Sequence, residues 1–113
     1  MSQISTHVLD VSAGRPAAGV PVILEVSSGG SAWAEKGRGV TDGEGRLKDL
    51  SVGGQLQPGT CRLTFDTGAY FAAQNVKGLY PQVMIVFEMK NVTEDYHIPL
   101  LLSPYGYSTY RGS

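Results

Sequence analysis

The sequence predicts an all-β sandwich, and three observations carry that expectation. Extended runs alternate in polarity with a period of two, glycine- and proline-rich clusters separate them, and only one short stretch has a helical pattern. The first run is "HVLDV" (residues 7–11), followed by the turn cluster "SAGRPAAG". In "VPVILEV" the side chains of Val20, Val22, Leu24 and Val26 share one face, while Pro21, Ile23 and Glu25 take the other. Turn clusters "SSGG", "TDGEGR" and "VGGQLQPG" come next. "TCRLTFD" then alternates Cys61, Leu63 and Phe65 against Arg62, Thr64 and Asp66. "GAYFAAQN", with Ala69, Ala72, Ala73 and no β-branched residue, is the helical stretch. "QVMIVFEMK", the turn "NVTED" and the run "YHIPLLLS" complete the pattern.

At 113 residues the default is one domain, residues 1–113. Nine basic residues against ten acidic ones leave no basic excess, which argues against nucleic acid as a partner. A lone cysteine cannot close an internal disulfide, and Cys61 alternates with core residues, so a buried, inert thiol is expected. No basic leader precedes an apolar run and no run reaches membrane-spanning length. The expected setting is cytoplasmic, without membrane association. "NVT" at Asn91 matches a glycosylation acceptor, but turn chemistry is the expected reading there.

The run Val83 to Met89 is apolar on both faces: Val83, Ile85, Phe87 and Met89 on one, Met84 and Val86 on the other. A sandwich strand ordinarily shows water one polar face. Two readings stay open, a helix or loop covering the second face, or a partner subunit.

Two histidines, His7 and His97, lie ninety positions apart in extended runs. Each is either a structural imidazole or one half of an acid/base pair. Two histidines and one cysteine are too few for a closed zinc site, and "HExxH" is absent, so no metal is expected. The glycine turns lack the lysine and helix of a phosphate loop, and no "GxSxG" elbow is present. Arg46 ends "TDGEGR", either as a solvated turn residue or projecting from a loop edge. The final stretch "YGYSTYRGS" is densely functionalised for a chain end, a place usually loose and dispensable. Read from residues alone, the chain is an all-β module with a possible acid/base site.

Three stretches go further. "HVLDVSAGRPAAGVPV" resembles the first signature of the transthyretin family, "YHIPLLLSPYGYS" its second signature, and "TDGEGR" the turn before its middle strands. The resemblance covers the whole chain, including "TGAYF" and "YPQVMIVFE". It implies an eight-stranded β-sandwich with one short helix, assembled as a homotetramer of two dimers by edge-to-edge strand pairing, with active sites in a channel between dimers.

One branch of that family carries thyroid hormone and other aromatic ligands. The other, 5-hydroxyisourate hydrolase, belongs to urate breakdown in purine catabolism. The hydrolase branch is marked by a histidine in the first signature, an arginine after the glycine turn, a histidine before the second signature's leucines, and a terminal "YRGS". Here these are His7, Arg46, His97 and Tyr110 to Ser113. The carrier branch lacks "YRGS" and runs on past that point. The resemblance therefore implies a cofactor-free cyclic amidase, a non-catalytic carrier of a small aromatic ligand being the alternative. The implied roles are His7, His97 and Ser113 in catalysis, with His7, Arg46 and Tyr110 binding substrate. Arg111 and Gly112 are expected to position the terminus.

Overall fold

The alternating runs resolve into two sheets in the computed structural model, which describes residues 3–27, 31–50 and 56–112. Parts of the "SSGG" and "VGGQLQPG" turns, and Ser113, lie outside the described residues. One sheet runs β2 (Arg15–Pro16), β1 (Ile4–Asp10), β8 (Tyr96–Ser103), β9 (Gly106–Thr109), and β5 (Arg46–Leu47) also pairs with β1. The other runs β4 (Trp33–Val40), β3 (Pro21–Ser27), β6 (Gly59–Phe65), β7 (Val83–Met89). The strands thus number seven of four or more residues and two of only two residues, β2 and β5, among the described residues.

Both sheets turn their alternate residues onto one core. Ile4, Val8, Leu100 and Leu102 from the first meet Val22, Leu24, Leu63 and Phe65 from the second, all essentially without solvent exposure. Each such side chain contributes roughly 1.5–3 kcal/mol by leaving water. The one helix, α1 (Thr67–Ala72), is shorter than "GAYFAAQN" suggested. Asp66 caps its start by accepting from the Ala69 amide, 3.1 Å away. Tyr70 and Phe71 are buried, and the Tyr70 hydroxyl donates to Asp10 at 2.7 Å, tying the helix to the end of β1. Trp33 is half-buried instead, with the Arg62 guanidinium 4.2 Å above its ring. Cys61 is buried and its thiol pushed up to about 11 by burial, the inert state expected.

Sequence alternation did not reveal β4. "WAEKGRGV" carries glycines and charges and buries little, as suits the outermost strand of its sheet. On β7, also outermost, Val83 and Met89 are buried while Met84 and Val86 are 43% and 58% exposed. Neither the helix nor a described loop buries that second apolar face. "NVTED" is turn chemistry as expected: the Asn91 side-chain oxygen accepts from the Thr93 amide at 2.9 Å and its hydroxyl at 2.6 Å.

Candidate active site

β1 buries Ile4, Thr6, Val8 and Asp10, so period-two alternation turns Ser5, His7 and Leu9 to the outer face of its sheet. β8 lies parallel to β1, with Ser5 opposite His97 and His7 opposite Pro99. β5 approaches the other side of β1 with Arg46 opposite His7. Residues 7, 46 and 97 thereby converge on one face of one sheet.

The "TDGEGR" turn sets Arg46 in place. The Asp42 carboxylate accepts from the amides of Glu44 (2.9 Å) and Arg46 (3.0 Å), and these backbone bonds hold its pKa below the ordinary carboxylate value. Gly45 has φ +77° and a side chain there would meet the Val8 carbonyl at 2.3 Å, so the turn lies directly against β1. The Val8 amide donates to the Gly45 carbonyl at 2.8 Å. That contact also puts the Glu44 carbonyl 2.9 Å from His7 Nε2. A carbonyl only accepts, so Nε2 of His7 carries a proton and donates it to this bond.

His97 is held differently. Its Nδ1 is 2.9 Å from the Ser5 hydroxyl. The chain end runs beside it, the Gly112 amide donating to the His97 carbonyl at 2.7 Å. A side chain at Gly112 would come within 2.5 Å of His97 Cδ2, so glycine permits this approach. Burial lowers the His97 pKa from its ordinary value, and the charges of Arg46 and His7 push the same way. Arg111 secures the end of the chain: its guanidinium donates to Glu94 (3.1 Å) and to the Asp95 carbonyl (3.3 Å), and lies 4.5 Å above the Tyr96 ring.

A cleft of about 380 Å³ opens here, walled by Ser5, Arg46, Lys48, Asp95, His97 and Gly112 among others. His7 flanks it through Arg46. Tyr110 is 56% exposed and does not line this cleft, and Ser113 follows Gly112 beyond the described residues. A cleft of about 450 Å³ beside Arg15, Tyr70 and Gln74 is larger but holds no histidine, and Arg15 is spent on Gln74 at 3.1 Å. No group of three or more histidine, cysteine or acidic side chains placed to hold a metal occurs among the described residues.

Sequence reasoning passed over Ser5 and the Glu44 carbonyl. Ser5 could have been placed on the His7 face by its two-residue spacing. Its contact with His97 follows only from the parallel register.

The family model HIUase/Transthyretin matches residues 4–112. The 5-hydroxyisourate hydrolase of Salmonella typhimurium is 43% identical over 110 residues, covering 97% of this chain and 80% of that protein. The solved structure of Klebsiella pneumoniae 5-hydroxyisourate hydrolase superposes with a TM-score of 0.87 at 37% identity, covering all of both chains. Sea bream transthyretin, solved with thyroxine, gives 0.91 at 29% identity, covering 97% of this chain and 94% of that one. With its sheets, its signatures and its convergent histidines and arginine, the chain belongs to the HIUase/Transthyretin family.

Proposed function

We propose that the chain, residues 1–113 acting as one domain, is a 5-hydroxyisourate hydrolase of urate breakdown. The single observation that carries this is the convergence of His7, Arg46 and His97 on one sheet face in a chain 43% identical to a hydrolase of that name. Water adds to a ring carbonyl of 5-hydroxyisourate and the adjoining C–N bond opens, giving 2-oxo-4-hydroxy-4-carboxy-5-ureidoimidazoline. The step needs a base for the water, donors for the developing oxyanion, and a proton for the leaving nitrogen. Among the described residues each imidazole has one nitrogen engaged, Nε2 of His7 and Nδ1 of His97, and the other is left for proton transfer. A lowered pKa favours the neutral His97 ring, which can take a proton and, as the imidazolium so formed, give one up again. Arg46 offers a planar fork to the substrate's carbonyl oxygens. Ser113, the residue after Gly112 in the sequence, is assigned a catalytic role and Tyr110 a role in substrate binding, both on the family resemblance.

The transthyretin likeness lies in the fold, and a carrier of aromatic ligands has no use for two oriented imidazoles flanking an arginine. The deciding measurement is the ultraviolet decay of freshly generated 5-hydroxyisourate. Purified protein should accelerate it; decay at the spontaneous rate would remove the hydrolase reading.

The assembly we propose is a homotetramer, a dimer of dimers, whose neighbouring subunit supplies the missing wall of this open cleft. The exposed Met84 and Val86 on outermost strand β7, and Tyr107 on outermost β9, support it. Sedimentation at micromolar concentration tests it, and an active monomer would contradict it. No helix among the described residues is long and apolar enough to cross a membrane. The single buried thiol suits a cytoplasmic setting.

A further inference from the structure

His97 offers two nitrogens, and a reaction can use only one that is free. Its ring could rotate by half a turn about the Cβ–Cγ bond, exchanging the places of Nδ1 and Cδ2, and with no anchor both orientations and both tautomers would be populated. Two contacts oppose that. The Ser5 hydroxyl lies 2.9 Å from Nδ1, and it is the only hydrogen-bond partner of that ring among the described residues. On the opposite edge the Gly112 backbone passes so close that a Cβ there would stand 2.5 Å from Cδ2. Ser5 itself is held firmly. It pairs with His97 inside a parallel ladder continuous from Ile4–Tyr96 to Asp10–Leu102, between the fully buried Ile4 and the buried Thr6. Thr6 adds a 2.6 Å bond from its own hydroxyl to the Ile98 carbonyl. The hydroxyl is therefore carried by a rigid strand and aimed at one atom of the ring.

Resting on the hydrolase reading above, we propose that Ser5 is a positioning residue. Its hydroxyl engages Nδ1 of His97 and fixes one ring orientation, so that Nε2 is the nitrogen that exchanges a proton in the cleft. Ser5 forms no bond to substrate in this role and acts only through His97. Losing the hydroxyl lets the ring sample unproductive states, which lowers the rate of the bound complex more than it weakens binding.

Ser5→Thr and Ser5→Val test this on the full chain. The two replacements have the same shape and both suit a strand, but only threonine keeps a hydroxyl. Nitrogen-15 spectra of the His97 ring, assigned by their loss in His97→Asn, report the environment of each ring nitrogen directly. Wild type and Ser5→Thr should show the same ring-nitrogen spectra and similar turnover. Ser5→Val should show exchange-averaged ring nitrogens and a kcat lower by roughly 10- to 100-fold, with KM changed much less. Unchanged ring spectra in Ser5→Val, or wild-type kcat in it, would overturn the proposal. So would an equal loss in the threonine variant, which would mark a merely structural position. If the wild type shows no turnover while Ser5→Val still alters the ring spectra, the hydrolase reading fails and the anchoring stands.

Discussion

Replacing Gly112 by alanine adds one methyl group at the tightest point of the site. That carbon would stand 2.5 Å from His97 Cδ2 and 3.3 Å from both His97 Cγ and Pro99 Cγ. Carbon atoms in contact prefer about 3.5–4.0 Å, so the closest pair overlaps by roughly 1 Å. Gly112 does not have a positive φ, so alanine meets no backbone penalty and the clash is the whole perturbation. Relief comes in one of two ways. The imidazole turns off its rotamer, at about 0.5–1.5 kcal/mol for 30°. Otherwise the chain end swings away and gives up the 2.7 Å bond from the Gly112 amide to the His97 carbonyl, a net loss of about 0.5–1.5 kcal/mol. Either cost is small for folding. For catalysis a displacement near 1 Å can cost up to about 100-fold. The expected result is a kcat/KM lowered by roughly 10- to 100-fold in the ultraviolet decay assay, with a melting transition shifted by only a few degrees. Gly59→Ala, where nothing lies within 4 Å of the added carbon, is the control and should match wild type. A Gly112→Ala protein with wild-type kcat/KM would refute the coupling between the chain end and His97.

His7→Asn and His97→Asn should each slow turnover by roughly 10²–10⁴-fold while the circular dichroism spectrum is retained; near-normal rates in either would return that histidine to a structural role. In a pH series, loss of activity from protonating His97 should fall below the ordinary histidine value of about 6.5, because burial, Arg46 and His7 all disfavour its charged form. Arg46→Gln removes one of those positive neighbours, so the His97 midpoint followed by ring-proton NMR should rise, and an unmoved midpoint would deny the contact. Asp42→Ala deletes the acceptor for the Glu44 and Arg46 amides and should cut kcat/KM by roughly tenfold, whereas Asp42→Asn, which keeps a side-chain oxygen there, should recover most of it. Equal activity in the alanine and asparagine variants would show that the turn holds Arg46 without that side chain.

Much of the architecture was legible because burial on one face writes a period of two into the chain. "YHIPLLLS" coincides with β8 from end to end, and "TCRLTFD" is shifted from β6 by a single residue at each end. β4 left no such trace. An outermost strand packs one flank only, and its Glu35, Lys36 and Arg38 with Gly37 and Gly39 beside them read as a loop. The candidate site was legible as residue types and not as geometry. His7 and His97 are ninety positions apart, and no local pattern says that their strands run parallel and adjacent. The family resemblance supplied that conjunction, since its two signatures contain the two strands. Ser5 carried no signal of its own, because a serine in a strand becomes meaningful only once its partner across the ladder is known.

The arrangement of anchors explains how so few residues can hold reacting groups to the tolerance catalysis requires. His7 sits between two inward-facing neighbours, Thr6 and Val8, both buried in the core. Val8 is bonded through its amide to Gly45 at 2.8 Å and through its carbonyl to Ala17 at 2.9 Å, so this part of β1 is fixed from the core and from two flanking turns. The same Gly45 contact sets Arg46 opposite His7 and brings Glu44 to the His7 ring. One docked turn therefore fixes the position of the guanidinium and the tautomer of the first imidazole together. On the far side of β1, the parallel register brings Ser5 to the second imidazole and holds its orientation. β1 is the element common to both, which is why a fixed geometry of three groups can arise from three distant segments: each is measured from the same strand. A perturbation that shifts β1 moves all three groups together, whereas one confined to the 41–46 turn or to the chain end moves one group against the others. Relative displacement is what damages a preorganised site, so the sensitive positions are the connectors Asp42, Gly45 and Gly112, and the core residues beneath the strand govern stability instead.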